Sequence, residues 1–320
     1  MHKIQYPVLA GLLLAAAAYG AVDSSLLNLV MPDAKIVSGV HVDRSKTSPF
    51  GRYVLSQMQT NDEGLQKFIE QTGFDPRRDL SEILISSTGG QTHARTLIVG
   101  RGTFDRTRIA SMAKRSGATL LSYHGVEILQ RKEGDMEGGL ALLDGSTAVL
   151  GDLESVRAAI DRRQNGAAAP NALTDKVRKV SADNDVWFIT LGPPSEFLNG
   201  KIADPNLNGA MQGTMLQSVQ EASGGLRFGA VNVSLQAEVV ARSEKDASAL
   251  LDVVRFLAGM VQLNRPADPG APKGPSLLDN MQLSAESNVM KLSLAMPEDQ
   301  LEKLLAPGAR HPRKAAAVRP

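Results

Sequence analysis

Apolar and polar residues alternate through Ala34 to Val42 (AKIVSGVHV). Ile36, Val40 and Val42 fall on one side and Val37 and His41 on the other, which is the period of a strand. The period then lengthens. Leu65, Phe68 and Ile69 share a helical face that Gly73 closes. Glu82 to Ser86 and Arg95 to Gly100 return to strand patterning. Asp105 to Ser116 carries a helical stripe of Ile109, Met112 and Ala113, with Gly117 as its stop. Val126 to Gln130 is extended, LALLDGSTAVL predicts a hairpin, and Leu153 to Arg163 predicts a helix.

A similar order recurs further on. Val186 to Leu191 predicts a strand. Leu207, Met211, Met215, Leu216 and Val219 predict a helix over Leu207 to Ala222, stopped by Gly224-Gly225. Ala230 to Gln236 and Glu238 to Ser243 are extended, and Lys245 to Val261 is a long helix, apolar on most of its circumference. Met281 to Ala285 and Val289 to Met296 form a hairpin across Glu286-Ser287-Asn288. Pro297 opens a final helix, a position where the missing N–H costs nothing.

These patterns predict an α+β fold of two similar halves, each a mainly antiparallel sheet with helices packed on one face. Residues 21–163 make the first half and 183–306 the second, with a loop at 265–276. Residues 164–182 read as a linker and short helix, and 307–320 as a disordered basic tail. Whether the halves share one sheet or pack face to face is open at this level.

The segments LVMPDAKIVSGVHVD (Leu29 to Asp43) and LLDGSTAVLGDLESVRAAID (Leu142 to Asp161) resemble a group of predicted exported bacterial proteins of unknown function. The resemblance implies export and a repeated α+β layout. It brings no catalytic residues with it.

The N-terminus agrees with export. His2 and Lys3 precede an uncharged apolar run from Pro7 to Ala18, and Ala18-Tyr19-Gly20 offers small residues for cleavage after Gly20. Residues 1–20 therefore read as a signal peptide, placing the mature chain in the periplasm or outside the cell, with no transmembrane segment left after its removal. The chain has no cysteine, which excludes disulfides and thiolate metal sites. Net charge is +1 and aromatic residues make up 4%, which argues against nucleic acid as a partner.

Asp144-Gly145-Ser146 lacks a second Asp-Thr-Gly or Asp-Ser-Gly loop to complete a carboxylate dyad, and no G-x-S-x-G elbow accompanies Ser146. It reads instead as a type I′ turn with Gly145 at positive φ, and Asp152 as the cap of the next helix. His41, His93, His124 and His311 show no metal-ligand spacing, and no phosphate loop is present, so neither a metal nor a cofactor is called for. Eight basic residues between Arg95 and Lys132 could form an anion-binding face, but pairing with the acidic residues of Glu133 to Asp161 is the simpler reading.

The expected function is that of an exported, non-catalytic binding, scaffold or envelope-associated module, with an unknown protein or an apolar small molecule as partner. One alternative is a carrier of a lipid or other apolar ligand, with Met211, Met215, Leu250, Phe256 and Met260 as candidate pocket residues. A second is a hydrolase with a scattered site, which requires His41 or His124 beside a Ser and a carboxylate.

Overall fold

The computed structural model describes residues 21–60, 63–90, 94–134, 136–195, 217–263 and 280–305. The segment expected as a signal peptide, most of the helix expected from Leu207, the loop at 265–276 and the expected basic tail lie outside them. The first part of the chain runs α1 (Ser24–Leu27), β1 (Ile36–His41), α2 (Val42–Thr47), α3 (Pro49–Thr60), α4 (Glu63–Thr72), α5 (Pro76–Asp79), β2 (Leu80–Ser87) and β3 (Thr96–Gly102). It continues through α6 (Arg106–Arg115), β4 (Thr119–Tyr123), β5 (Val126–Glu133), β6 (Met136–Leu142), β7 (Thr147–Asp152) and α7 (Leu153–Gln164). Then come α8 (Asn171–Ser181), β8 (Val186–Thr190), β9 (Val219–Phe228), β10 (Asn232–Ala241), α9 (Glu244–Leu263), β11 (Met281–Glu286), β12 (Val289–Pro297) and α10 (Glu298–Leu305).

All twelve strands join one antiparallel sheet in the order β11-β12-β10-β9-β8-β1-β2-β3-β7-β6-β5-β4. The fold is thus α+β, and the sheet is continuous. Its centre is β1, which pairs with β2 on one side and β8 on the other: Gly39 faces Leu84 and Trp187.

Helices cover both faces, not one as expected. On the first face, Leu26 and Leu27 of α1, Val156 and Ile160 of α7, and Leu173 and Val177 of α8 pack with Val37, Leu84, Val99, Val149 and Trp187 in one buried cluster. On the second face Ile109 of α6 packs with Leu129, Leu142 and Ala148, whose register puts them opposite to that cluster. Both sides of the central strands are apolar because both have something to bury. The long helix α9 lies against β10, β11 and β12 near the sheet's end. Ala247 and Leu251 are buried there, while Phe256 is 66% exposed.

The segment Val219 to Ala222, expected as the end of a helix, is the start of β9. Gly224 and Gly225 are not helix stops. A Cβ on Gly224 would lie 2.6 Å from the Gln236 carbonyl oxygen, and one on Gly225 would lie 2.5 Å from Asn184 Cγ. Both mark close approach of neighbouring chain inside a strand. The two extended pieces around Ala237 form the single strand β10, and Pro297 ends β12 instead of opening α10.

The hairpin between β6 and β7 forms as expected, but its turn differs. Leu143 N–H donates to the Thr147 carbonyl at 2.9 Å, leaving a three-residue loop, Asp144 to Ser146. Gly145 is not at positive φ; the two-residue turn with two left-handed residues is at His124 (φ 47°) and Gly125 (φ 77°). The Asp144 carboxylate closes the loop by accepting from the Ser146 N–H at 2.7 Å and hydroxyl at 2.9 Å. A Cβ on Gly145 would meet nothing within 4 Å. Gly145→Val should therefore change stability by no more than about 0.5 kcal/mol in a denaturant titration. A loss of several times that would restore the left-handed turn. Asp152 does occupy the N-cap position of α7, but its carboxylate accepts from Thr96 N–H at 2.7 Å and from the Ser155 hydroxyl at 3.5 Å instead of from a helix backbone N–H.

Candidate functional site

The second face of the sheet carries an apolar row that can be followed through the register. Leu120, Leu129, Leu140, Leu150, Ile98 and Ile85 face one another across β4, β5, β6, β7, β3 and β2. Ser38 of β1 interrupts the row, and Phe188 of β8 resumes it. Within the row Leu129 is buried and Leu140 and Ile98 are half-buried, but Leu150 is 46% exposed, Phe188 40%, Ile85 37% and Leu120 36%. From Leu150 to Phe188 the row spans four strand spacings, roughly 19 Å.

Next to Leu150 the row deepens into a cleft of about 190 Å³. Its floor is Ile83, Ile98, Gly100, Leu140, Leu142, Ala148 and Leu150, and its wall is Phe68, Phe74, Leu80, Phe104 and Ile109. Every one of these residues is apolar or glycine. Local sequence sets the wall. Gly73, at φ 71°, ends α4 and turns the chain so that Phe74 leaves it. Phe104 is held by its N–H, which donates to the Gly145 carbonyl at 3.0 Å, and Asp105 then caps α6 through the Arg108 N–H. The Phe74 and Phe104 rings stack with centroids 5.3 Å apart, and Phe68 meets Phe74 edge-on at 6.1 Å. Gly100 keeps the floor low: a Cβ there would reach ordinary contact with Leu80 Cδ2 at 3.4 Å. A cleft of such size and lining has room for a ring or a short apolar chain.

No family model matches the chain, and no curated protein matches it. Solved structures of TP0453, a bacterial protein of unknown function, are similar in fold. Its crystal form III is 11% identical, with a TM-score of 0.51, covering 88% of this chain and 97% of that one. Crystal form IV is 13% identical with the same score, covering 89% and 96%. At that identity the likeness bears on fold alone.

The pocket expected from sequence is a different one. Met211 and Met215 lie outside the described residues, as does the side chain of Met260. Leu250 is half-buried on α9 and Phe256 is exposed, and neither lines the apolar cleft. No helix among the described residues is long and apolar enough to cross a membrane. No three His, Asp or Glu side chains among them group as metal ligands.

The histidines expected for a hydrolase have carboxylate neighbours but no seryl hydroxyl on either ring among the described residues. His124 Nε2 lies 3.5 Å from Asp161 on the surface. His41 is buried; its Nε2 lies 3.2 Å from the Ser181 carbonyl and its Nδ1 3.3 Å from Glu82 Oε1. Glu82 faces His41 across β1–β2 and Arg101 across β2–β3.

Burial pushes the Glu82 carboxyl up to about 7; Arg101 opposes that shift and Asp23 adds to it. Burial, and then Arg44, push the His41 imidazole down. Together they favour the neutral form of both groups, with Nε2–H donating to Ser181; Glu82 Oε1 lies near Nδ1 but is buried without a hydrogen bond. Because the folded-state value of Glu82 exceeds the unfolded one, its contribution is complete below pH ~4.5 and is lost as pH rises toward 7. His41 acts in the opposite sense, favouring the folded state as pH rises. Glu82→Gln keeps the shape of the side chain and removes the titration. Its stability relative to the parent should improve on the order of 1–2 kcal/mol between pH 4.5 and 7.5, allowing for solvent screening. Parallel melting curves across that range test this, and a constant difference would contradict it.

Proposed function

We propose that the protein is an exported, non-catalytic binding module and that its ligand is apolar. The observation that carries this reading is the all-apolar cleft opening onto the exposed Leu150–Phe188 strip. Exposed apolar side chains gathered along one strip beside an apolar cleft mark a binding surface more often than scattered ones do. The cleft takes one end of the ligand between Phe68, Phe74 and Phe104, and the strip supports an extended apolar chain, such as an acyl chain, across the central strands. The apolar-ligand reading thus moves from the methionines to phenylalanines on the other side of the chain's midpoint. The signal-peptide layout of residues 1–20 supports export.

Native mass spectrometry of protein recovered from its host tests both parts. The expected spectrum shows a chain beginning at Ala21 with an extractable apolar molecule. Delipidated protein should then take up a fluorescent fatty acid that the extract displaces. Bare polypeptide that takes up no such probe would remove the proposal.

We also read the chain as a duplication. Outward from the central pair the strands run β1-β2-β3-β7-β6 one way and β8-β9-β10-β12-β11 the other, with α6 and α9 following β3 and β10. That mirrored order supports the reading, with β4 and β5 as the first half's addition.

A further inference from the structure

On the first face, at the end where the β6–β7 turn lies, a second cavity of about 380 Å³ opens between α1, β3, that turn and the last turn of α7. Its chemistry is opposite to that of the apolar cleft. Three guanidinium groups line it, Arg101, Arg162 and Arg163, against one carboxylate, Asp144. Arg163 pairs with Asp144 at 2.6 Å, and Arg101 pairs at 2.9 Å with Asp23, which stands outside the lining. Arg162 has no carboxylate within ion-pairing distance among the described residues. It donates once, to the Leu29 carbonyl at 2.7 Å, and its Nε is buried without a hydrogen bond. Burial lowers its hold on its proton, and the charges of Asp33 and Asp161 oppose that shift without cancelling it. Leaving a half-buried guanidinium without a close carboxylate is costly, and a bound anion would supply both the charge and an acceptor for the buried donor.

We propose that this cavity binds an oxyanion of the phosphate class. Arg162 supplies a charge that no carboxylate of the described residues contacts directly; Asp33 and Asp161 act on it only from beyond ion-pairing distance. Arg163 and Arg101 are partly exposed and each keeps donors beyond its single carboxylate. Planar guanidinium donors suit a tetrahedral oxyanion, and the Ser146 and Ser25 hydroxyls stand on the same wall. The carbonyl end of α7 repels an anion, so the three cations must outweigh it. Two of them belong to that last helical turn, which offsets the unfavourable end of the dipole where it is strongest. The site is independent of the apolar cleft, which lies on the other face.

Phosphate binding to the full mature chain, measured by calorimetry against chloride at equal ionic strength, tests the proposal. The parent should bind inorganic phosphate, and Arg162→Gln and Arg163→Gln should each bind about tenfold more weakly or worse. Lys291→Gln, which loses only a surface pair with Glu286 at the far end of the sheet, should bind as the parent does. Glycerol phosphate in place of phosphate separates two sources. Tighter binding of the ester assigns the site to the phosphate end of a larger molecule, and equal or weaker binding assigns it to the free anion. No binding beyond chloride, or two arginine variants that bind like the parent, overturns it. Should Arg162→Gln fail to fold, the exposed Arg163 decides the outcome alone.

Discussion

Gly39→Ala should destabilise the protein by about 1–3 kcal/mol, read as a lower denaturation midpoint. Alanine normally gains over glycine inside a strand, so a loss here has to come from packing. The reason is Trp187. Its indole lies flat against Gly39 where β1 meets β8, and a Cβ would stand 2.5 Å from Cζ2, 2.6 Å from Cε2 and 2.8 Å from Nε1. The ring is 1% exposed and shares its cluster with Leu84, Val37 and Ile189, so it has little room to slide. Trp187→Phe trims the atoms that collide. The Gly39→Ala/Trp187→Phe protein should therefore lose less stability than the sum of the two single changes. Strict additivity, or a Gly39→Ala protein as stable as the parent, would show that the indole is not seated against Gly39.

Gly100→Leu should abolish uptake of an apolar probe while the protein still melts cooperatively. The strand accepts a Cβ at this position, and the rest of the side chain then occupies the cleft of about 190 Å³. The expected loss of affinity is about tenfold or more. Any cost in stability should stay within the roughly 1–3 kcal/mol usual for overpacking. Val231→Leu, at an already exposed position away from the cleft, serves as the matched apolar change and should leave uptake unaltered. Equal uptake by Gly100→Leu and parent would place the ligand elsewhere. A Gly100→Leu protein that no longer folds would hand the test to Leu150→Asp, at the exposed mouth of the cleft.

Most strands were legible because their side chains alternate between environments that differ. Met281 to Glu286 shows this cleanly, with half-buried and exposed residues in turn. The sequence misled at β9, where two adjacent glycines look like a helix stop and are a consequence of Gln236 and Asn184 standing too close for any Cβ. It also understated the second face. Ile83-Leu84-Ile85 in β2 and Leu97-Ile98-Val99 in β3 are apolar on successive positions, and a strand that is apolar on both sides is covered on both sides. That signal was present in the chain. The apolar cleft was not readable in the same way, since its wall and floor come from elements spread between Phe68 and Leu150 and only the pairing order brings them together. The same holds for the arginine cavity. Arg101 lies far from Arg162 in sequence, and the turn whose Asp144 and Ser146 invite a catalytic reading is one of its walls.

The pairing of β1 with β8 also bears on what the connection through residues 164–170 is for. Those residues are mostly exposed, and they join two stretches of chain that are already hydrogen-bonded side by side at the middle of the sheet. A break there severs the polypeptide without opening a seam, because the strands on either side hold each other and α8 stays seated on the shared core. The molecule is in this sense stitched across its centre, and the covalent thread between its two stretches is the least of what keeps them together.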